Sequence, residues 1–255
     1  MTDLFSVSGK IAVVTGGSDG IGQMITQGLV EAGAKTYIVA RNLEKARKAA
    51  GELSGSGSCI PIQGDLATLA GIDAVVAQLS ELESRVDILI NNAGVHRFEA
   101  LEEFDEESWD SHLDLNLKTP MFMIRKMLPL LREAGTPEDP ARVINIGSTD
   151  GKRVSDMEHY PYYASKAGVH QISRALGRRL GPEWINVNAI APGPFPTAVT
   201  DVGSPELREQ IKKGIPCRRF GSPEDIMGSV IYLCSRAGAY TNATILSVDG
   251  GIAGA

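Results

Sequence analysis

The sequence predicts an α/β fold built on a doubly wound parallel sheet with helices on both faces. Seven short apolar runs, bounded by glycine or polar residues, recur along the 255-residue chain. Several are rich in β-branched residues without alternation, the pattern of strands buried on both faces. Helical stretches separate them, and repeated strand–helix alternation implies a covered parallel sheet. Right-handed crossovers then favour the doubly wound arrangement.

The first run, KIAVVTGG (10–17), leads through VTGGSDGIG (14–22) into a helical stretch at 20–33. Gly16, Gly20 and Gly22 have the spacing G-x-x-x-G-x-G. Glycine lets the backbone turn tightly and approach a ligand closely. The free N–H groups of the following helix then meet phosphate charge. A strand before and a helix after are the context this motif requires. The second run, KTYIVAR (35–41), precedes a helix at 42–54. In a dinucleotide fold the end of this strand faces the adenosine ribose, where an acid bonds the 2′-OH of NAD and an arginine accommodates the 2′-phosphate of NADP. Here Ala40 and Arg41 close the strand, and the first acid is Glu44, already in the helix. NADP(H) is therefore favoured over NAD(H). Asp19 opposes this reading, because its carboxylate would repel a 2′-phosphate if it pointed there.

A Gly/Ser-rich loop (51–59) precedes the third run, CIPIQGD (59–65), and a helix at 67–84 follows. The fourth run is VDILINNAG (86–94). The long helix at 107–133 contains Asn116 and Pro120, and the proline should kink or reset it just after Asn116. Seven carboxylates fall within 99–110. They read as a solvated loop and helix start, where acids suit the dipole, rather than as an acidic docking face. The loop AGTPEDPA (134–141) leads to RVINIGS (142–148), a helix at 161–181 and the sixth run, INVNAIAPG (185–193). APGPFPT (191–197) holds three prolines and fits neither helix interior nor central strand. A short helix near 204–213, a helix at 223–236 and the run TILSVDGG (244–251) complete the chain. No segment reads as a domain linker or repeat. Residues 1–255 are expected to form a single dinucleotide-binding and catalytic domain, with 195–220 as a substrate lid.

Half of the six tyrosines, Tyr160, Tyr162 and Tyr163, stand just ahead of Lys166 in EHYPYYASKAG (158–168). On a helix Tyr162 lies four residues before the lysine and Tyr163 three, and both spacings give neighbouring faces. Geometry alone leaves the choice open. Tyr160 precedes Pro161, which biases it toward extended backbone and out of the helix. A phenol working as a base near neutral pH needs its pKa lowered by ~2–3 units. A lysine ammonium supplies that only in a sheltered site.

The charge balance, 25 Lys and Arg against 31 Asp and Glu, gives a net charge of −6 and no basic footprint for nucleic acid. Cys59, Cys217 and Cys234 are dispersed, as are the four histidines, so neither a disulfide framework nor a metal site is expected. MTDLFSVSGK does not read as a signal peptide, and no run of about 18 apolar residues suggests a membrane span. A cytoplasmic location is expected.

In this order the motifs resemble the short-chain dehydrogenase/reductase family over the whole chain. TGGSDGIG (15–22) is similar to its cofactor loop, GDL (64–66) to its adenine-pocket turn, and NNAG (91–94) to its fourth-strand motif. Asn116 matches its helix-kink asparagine, INIGS (144–148) its catalytic-serine strand and YYASK (162–166) its YxxxK pair. Pro192, Gly193 and Thr197 resemble its cofactor-clamping loop, and VDGG (248–251) its last strand and turn. The resemblance implies a Rossmann-type three-layer sandwich, with a seven-stranded sheet of order 3-2-1-4-5-6-7, and a homotetramer. It implies catalytic roles for Asn116, Ser148, Tyr162 and Lys166. Cofactor contacts are implied for Gly16, Ser18, Asp19, Gly20, Ile21, Arg41, Asp65, Leu66, Asn92, Ala93, Gly94, Pro192, Gly193, Phe195 and Thr197, as well as for Tyr162 and Lys166.

Tyr162 is expected to give a proton to a carbonyl oxygen that Ser148 also hydrogen-bonds. By the resemblance, Lys166 lowers the tyrosine pKa and bonds the nicotinamide ribose. The backbone carbonyl of Asn116 anchors a water in a proton relay. RVINIGS, NAIAPG and RRFGSPEDI (218–226) look most like bacterial 3-oxoacyl reductases of the rhamnolipid and polyhydroxyalkanoate type. The expected function is NADPH-dependent reduction of a ketone, a 3-oxoacyl thioester or related carbonyl. The alternatives are an NAD-dependent dehydrogenase oxidising a sugar- or steroid-type alcohol, and a non-enzymatic nucleotide sensor. Lys212, Lys213, Arg218 and Arg219 make the expected lid basic, as a CoA or carrier-protein phosphate would use or as ordinary surface charge. Arg132, Arg178 and Arg179 are available for carrier docking, whereas Gly135 and Glu183 stand where more positive charge would serve it.

Overall fold

The computed structural model describes residues 4–53, 57–197 and 205–254. Residues 198–204 of the expected lid, and 54–56 of the Gly/Ser-rich loop, lie outside the described residues. The strands are β1 (Ile11–Thr15), β2 (Lys35–Ala40), β3 (Ser58–Gln63), β4 (Ile88–Asn91), β5 (Ala141–Ile146), β6 (Ile185–Pro192) and β7 (Ile245–Val248). The helices are α1 (Gly20–Glu31), α2 (Leu43–Leu53), α3 (Leu69–Leu82), α4 (Glu106–Leu113), α5 (Thr119–Ala134), α6 (Tyr160–Leu180), α7 (Pro205–Gly214) and α8 (Pro223–Cys234). The strands form one sheet of order β3-β2-β1-β4-β5-β6-β7, with every neighbouring pair parallel.

Side chains alternate along each strand, so the sheet feeds two cores. Ala12 and Val14, Ile88 and Ile90, and Ile144 and Ile146 pack on one face with Ile25 and Leu29 of α1 and Ile226, Val230 and Leu233 of α8. Val13, Leu89, Val143 and Val187 pack on the other with Val75 and Leu79 of α3 and Met123, Met127 and Leu131 of α5. Both faces are covered, which explains why the strands read as unbroken apolar runs.

Four expectations bear on these elements, and one of them, that Tyr160 lies outside the helix, needs correction. The long helix at 107–133 is reset at Asn116, by a change of register rather than by a break. It passes from α4 into α5 through one π-helical turn, Asp114–Lys118, in which the Thr119 N–H reaches the Asp114 carbonyl. The extra residue per turn absorbs the missing N–H of Pro120, which sits in the first turn of α5. Tyr160 is not outside the helix. It opens α6, because a proline in the first turn loses no helical hydrogen bond. Leu66 and Phe195, 4% and 2% exposed, turn their side chains into the two cores. Core packing holds these two side chains.

Candidate active site

All strands are parallel, so their C-terminal ends lie along one edge. β1 pairs with β2 on one side and β4 on the other, which makes this the point where the sheet winds in opposite directions. Ligands of open α/β sheets bind at that crevice. Asn92 joins the two strand ends. Its side-chain amide donates to the carbonyls of Thr15 (3.0 Å) and Gly16 (3.1 Å). The Thr15 hydroxyl in turn accepts from the backbone N–H groups of Asn92 (2.9 Å) and Ala93 (3.0 Å).

A cleft of about 390 Å³ opens above this seam. Gly16, Ser18, Asp19, Gly20 and Ile21 line one side, and Asn92, Ala93 and Gly94 the next. Ser148, Tyr162 and Lys166 lie opposite, with Pro192, Gly193 and Thr197 closing it. Gly16 has φ +65°, and a side chain at Gly22 would run into the Gly16 carbonyl. Only glycine permits this turn, which holds the N-terminus of α1 open to a phosphate. The cradle fits a dinucleotide pyrophosphate.

Of the other expected cofactor residues, Arg41 is exposed beside a separate shallow groove that Asn42, Glu44 and Gln63 also line. Asp65 is exposed and accepts the Ala67 N–H at 3.2 Å, as a turn residue does. Asp19 caps α1 by accepting the Gly20 N–H at 2.8 Å, and its other oxygen meets Lys45 Nζ of α2 at 2.5 Å. The Lys45 hydrogen bond holds the Asp19 carboxyl below the ordinary aspartate value. Its charge is thus neutralised from the protein side, which removes much of the objection to a 2′-phosphate nearby. Lys45 went unnoticed in the sequence because only the fold brings α2 across to the phosphate loop.

The structure separates the three tyrosines. Tyr162 enters the cleft, with Lys166 Nζ 5.5 Å from its ring centre. Tyr163 turns to the 155–157 loop, where its hydroxyl accepts the Ser155 N–H (3.0 Å) and lies 3.0 Å from the carbonyls of Ser155 and Met157. Tyr160 donates to Glu158 at 3.1 Å and faces away from the cleft residues. Ser148 lies two residues past β5, and its Oγ accepts the Asp150 N–H at 3.1 Å, which leaves its own O–H to donate.

Tyr162 departs from the expected low pKa. Burial pushes its phenol up to about 12; a Ser148 hydrogen bond pulls down only in part, and Asp150 adds to the rise. Lys166 cannot offset this, because burial brings its ammonium down to about 8 and its Nζ donates to the Ile146 carbonyl at 2.8 Å.

Asn116, 1% exposed, does not line the cleft. Its side chain binds both backbone groups of Val95, at 2.7 Å to N–H and 2.9 Å to C=O, and donates to Ser165 Oγ at 3.2 Å. Ser165 donates to the Tyr162 carbonyl. Asn116 therefore ties the loop after β4 to the helical turn that carries Tyr162. In an α-helical register its own carbonyl would have faced Pro120, which has no N–H to give.

His96 is a cleft residue that the sequence reading passed over. It stands T-shaped on Tyr162 with ring centres 4.3 Å apart, and its Nε2 meets His159 Nδ1 at 2.8 Å. Its place just after NNAG was the available signal. Among the described residues no helix is long and apolar enough to cross a membrane, and no group of three or more His, Cys, Asp or Glu could hold a metal.

A glycine-rich phosphate cradle at the switch point, with a serine, a tyrosine and a lysine meeting across from it, defines a nicotinamide-dinucleotide oxidoreductase acting on a carbonyl or alcohol. Comparison with known proteins narrows the class. A family model described as enoyl-(acyl carrier protein) reductase matches residues 16–253. The rhamnolipids biosynthesis 3-oxoacyl-[acyl-carrier-protein] reductase of Pseudomonas aeruginosa is 44% identical over 253 residues, covering 98% of this chain and 99% of that protein. A solved P. aeruginosa structure, described as an RhlG/NADP active-site complex, has a TM-score of 0.96 at 44% identity and covers 99% of this chain and 100% of the other. Gluconate 5-dehydrogenase of Gluconobacter oxydans is 32% identical over 261 residues, covering 98% and 97%. The chain belongs to the short-chain dehydrogenase/reductase family.

Proposed function

We propose that this protein reduces the keto group of a 3-oxoacyl thioester, or of a related ketone, to a secondary alcohol with NADPH. The observation that carries the reading is the convergence of Ser148, Tyr162 and Lys166 on the cleft beside the phosphate cradle. The 44% identity to a 3-oxoacyl reductase supports the substrate class, and the NADP complex of a similar protein supports the cofactor. When bound, NADPH supplies the hydride. Ser148 donates to the substrate oxygen and fixes the carbonyl. Tyr162 donates the proton. With its pKa near 12 it stays protonated at neutral pH, the state a proton donor needs. Lys166, charged below about pH 8, favours the negative oxygen that forms on the tyrosine.

Arg41, beside its shallow groove, and Lys45, paired with Asp19 of the phosphate loop, are the two cations we assign to a 2′-phosphate. Arg132 and Arg179 are both engaged by Glu183, at 2.7 Å for the first. These exposed pairs decide nothing between CoA and a carrier protein, and the similarity to a 3-oxoacyl-[acyl-carrier-protein] reductase supports a carrier-protein thioester beside a CoA thioester. α7 buries none of its residues, which supports a covering role for the described part of 195–220. A homotetramer in the cytoplasm is the assembly and location we assign by the family relationship.

The test is NADPH oxidation with acetoacetyl-CoA. Turnover is expected, and Arg41→Ala should raise KM for NADPH about tenfold or more while leaving KM for NADH within about twofold. Equal use of both cofactors by the unaltered enzyme, or no turnover of any ketone, would overturn the reading.

A further inference from the structure

His170 is a buried histidine that the proposed reaction does not use. It lies on α6, one turn past Lys166 and two turns past Tyr162, and is 2% exposed. It does not line the cleft. Burial brings its imidazole down to about 4, which keeps the ring neutral at pH 7. Its Nε2 has no hydrogen-bond partner among the described residues. What the ring brings to its place is bulk, with neither a charge nor a hydrogen bond at Nε2.

That bulk lies beneath the segment that carries Ser148. A Cβ added at Gly147 would come within 2.1 Å of His170 Nε2 and 2.6 Å of its Cδ2, and one at Gly151 within 2.7 Å of Cε1. At Gly147 the next nearest atom, the Ile190 carbonyl oxygen, is 3.2 Å away, so the ring is the main obstacle. Neither glycine has a positive φ. Space over the ring, rather than backbone conformation, therefore excludes side chains at both positions. Gly147 stands just before Ser148, and Gly151 closes the short 3₁₀ turn Thr149–Gly151 that Ser148 caps. The Gly147 N–H donates to the Ile190 carbonyl of β6 at 2.7 Å, and the Gly151 N–H to the Ser148 carbonyl at 3.0 Å. Ser148 thus belongs to a short arch whose two ends rest on one imidazole. The same helix carries Tyr162, so the height of the arch over α6 sets Ser148 relative to the phenol. An interior packed this closely passes a change in one side chain on to its neighbours.

We propose that His170 is a positioning residue for ketone reduction, whose ring acts as a spacer between α6 and the Gly147–Gly151 segment and so holds Ser148 where it and Tyr162 reach the same substrate oxygen. The inference rests on the reading of Ser148, Tyr162 and Lys166 as a ketone-reducing site and adds a residue that acts on that site only through Ser148. A displacement of about 1 Å in a positioned group costs about 10²-fold in rate. The spacer role makes Gly147 and His170 a reciprocal pair. A methyl at the glycine collides with the ring, and removal of the ring makes room for the methyl.

The experiment follows acetoacetyl-CoA reduction by Gly147→Ala, His170→Ala and the double variant. In Gly147→Ala kcat should fall about tenfold or more, with KM for NADPH within about twofold of the unaltered enzyme. His170→Ala lets the arch settle and should lower kcat about fivefold or more, and His170→Met, which restores bulk without a ring nitrogen, should recover part of it. The double variant should regain at least about fivefold in kcat over Gly147→Ala. Made in a Ser148→Ala background, His170→Ala should change kcat by less than about twofold, because the group that the ring positions is already gone. A general loss of packing would not spare that background. If Gly147→Ala yields no folded protein, the comparison of His170→Ala with and without Ser148 decides by itself. No recovery in the double variant, a kcat for His170→Ala within twofold of the unaltered enzyme, or an equal loss with and without Ser148 overturns the inference. Failure of the unaltered enzyme to reduce acetoacetyl-CoA or any other ketone would instead sink the ketone-reducing reading, and this inference with it.

Discussion

Tyr162 and Tyr163 are adjacent, and helical spacing from Lys166 hardly separates them. The fold does so by giving the Tyr163 hydroxyl several partners in the 155–157 loop and leaving Tyr162 in the cleft. No periodicity in the sequence carries that information, because the loop partners precede the helix and their conformation is tertiary. The same limit hid Lys45 and His96. It also misdirected the reading of Tyr162 itself, since the cost of burying a phenolate depends on enclosure that spacing does not reveal. A consequence can be measured. Tyr162 stays protonated up to high pH, but Lys166 loses its charge near pH 8. The kcat/KM for ketone reduction should therefore be level below pH 7 and decline above about pH 8. The profile for alcohol oxidation should rise with pH instead. Reduction that held level to pH 10 would show that the Lys166 charge is not used.

At the scale of elements, the strands and helices were legible almost throughout, because alternation and glycine or proline punctuation are local. What was not legible was how two elements share a defect. Asn116 and Pro120 were visible as a break, yet the chain resolves it with a π-turn that keeps the helix continuous and holds the asparagine side chain against Val95. Leu66 and Phe195 show the converse. Each lies in a motif that the family resemblance ties to cofactor, but the side chain serves the core. Asn116→Ala should leave the Val95 N–H and C=O without their partners. The expected cost is about 2–3 kcal/mol, read as a lower urea midpoint with an unchanged slope. A loss below about 0.5 kcal/mol would mean that this junction is not held by the asparagine.

Across the whole molecule, a parallel sheet buried on both faces brings residues from β1, β4, β5, α6 and the segment after β6 to one edge. This arrangement also encloses His159 and His170, each 2% exposed, with burial bringing both down to about 4. His170 lies under Gly147 and Gly151, where a side chain would collide with it. The unfolded chain binds protons at these histidines below about pH 6.5, while the folded chain does not until about pH 4. Stability must therefore fall as pH drops through this window, by up to about 1.4 kcal/mol per pH unit for each histidine. Asp150, raised by burial, works in the opposite direction but is one group near the acid end. The melting temperature should decline steadily from pH 6.5 to 5. A constant value would contradict the neutral, buried state of these rings.

The central claim is that the folded cleft makes Tyr162, and not its neighbour, the proton donor to a ketone. The most direct measurement is NADPH-dependent reduction of acetoacetyl-CoA by Tyr162→Phe and Tyr163→Phe, with NADPH binding followed by fluorescence. Tyr162→Phe should lose activity by about 10²–10⁴-fold while still binding NADPH, and Tyr163→Phe should retain most of its turnover. Undiminished activity in Tyr162→Phe, or the greater loss in Tyr163→Phe, would contradict the account.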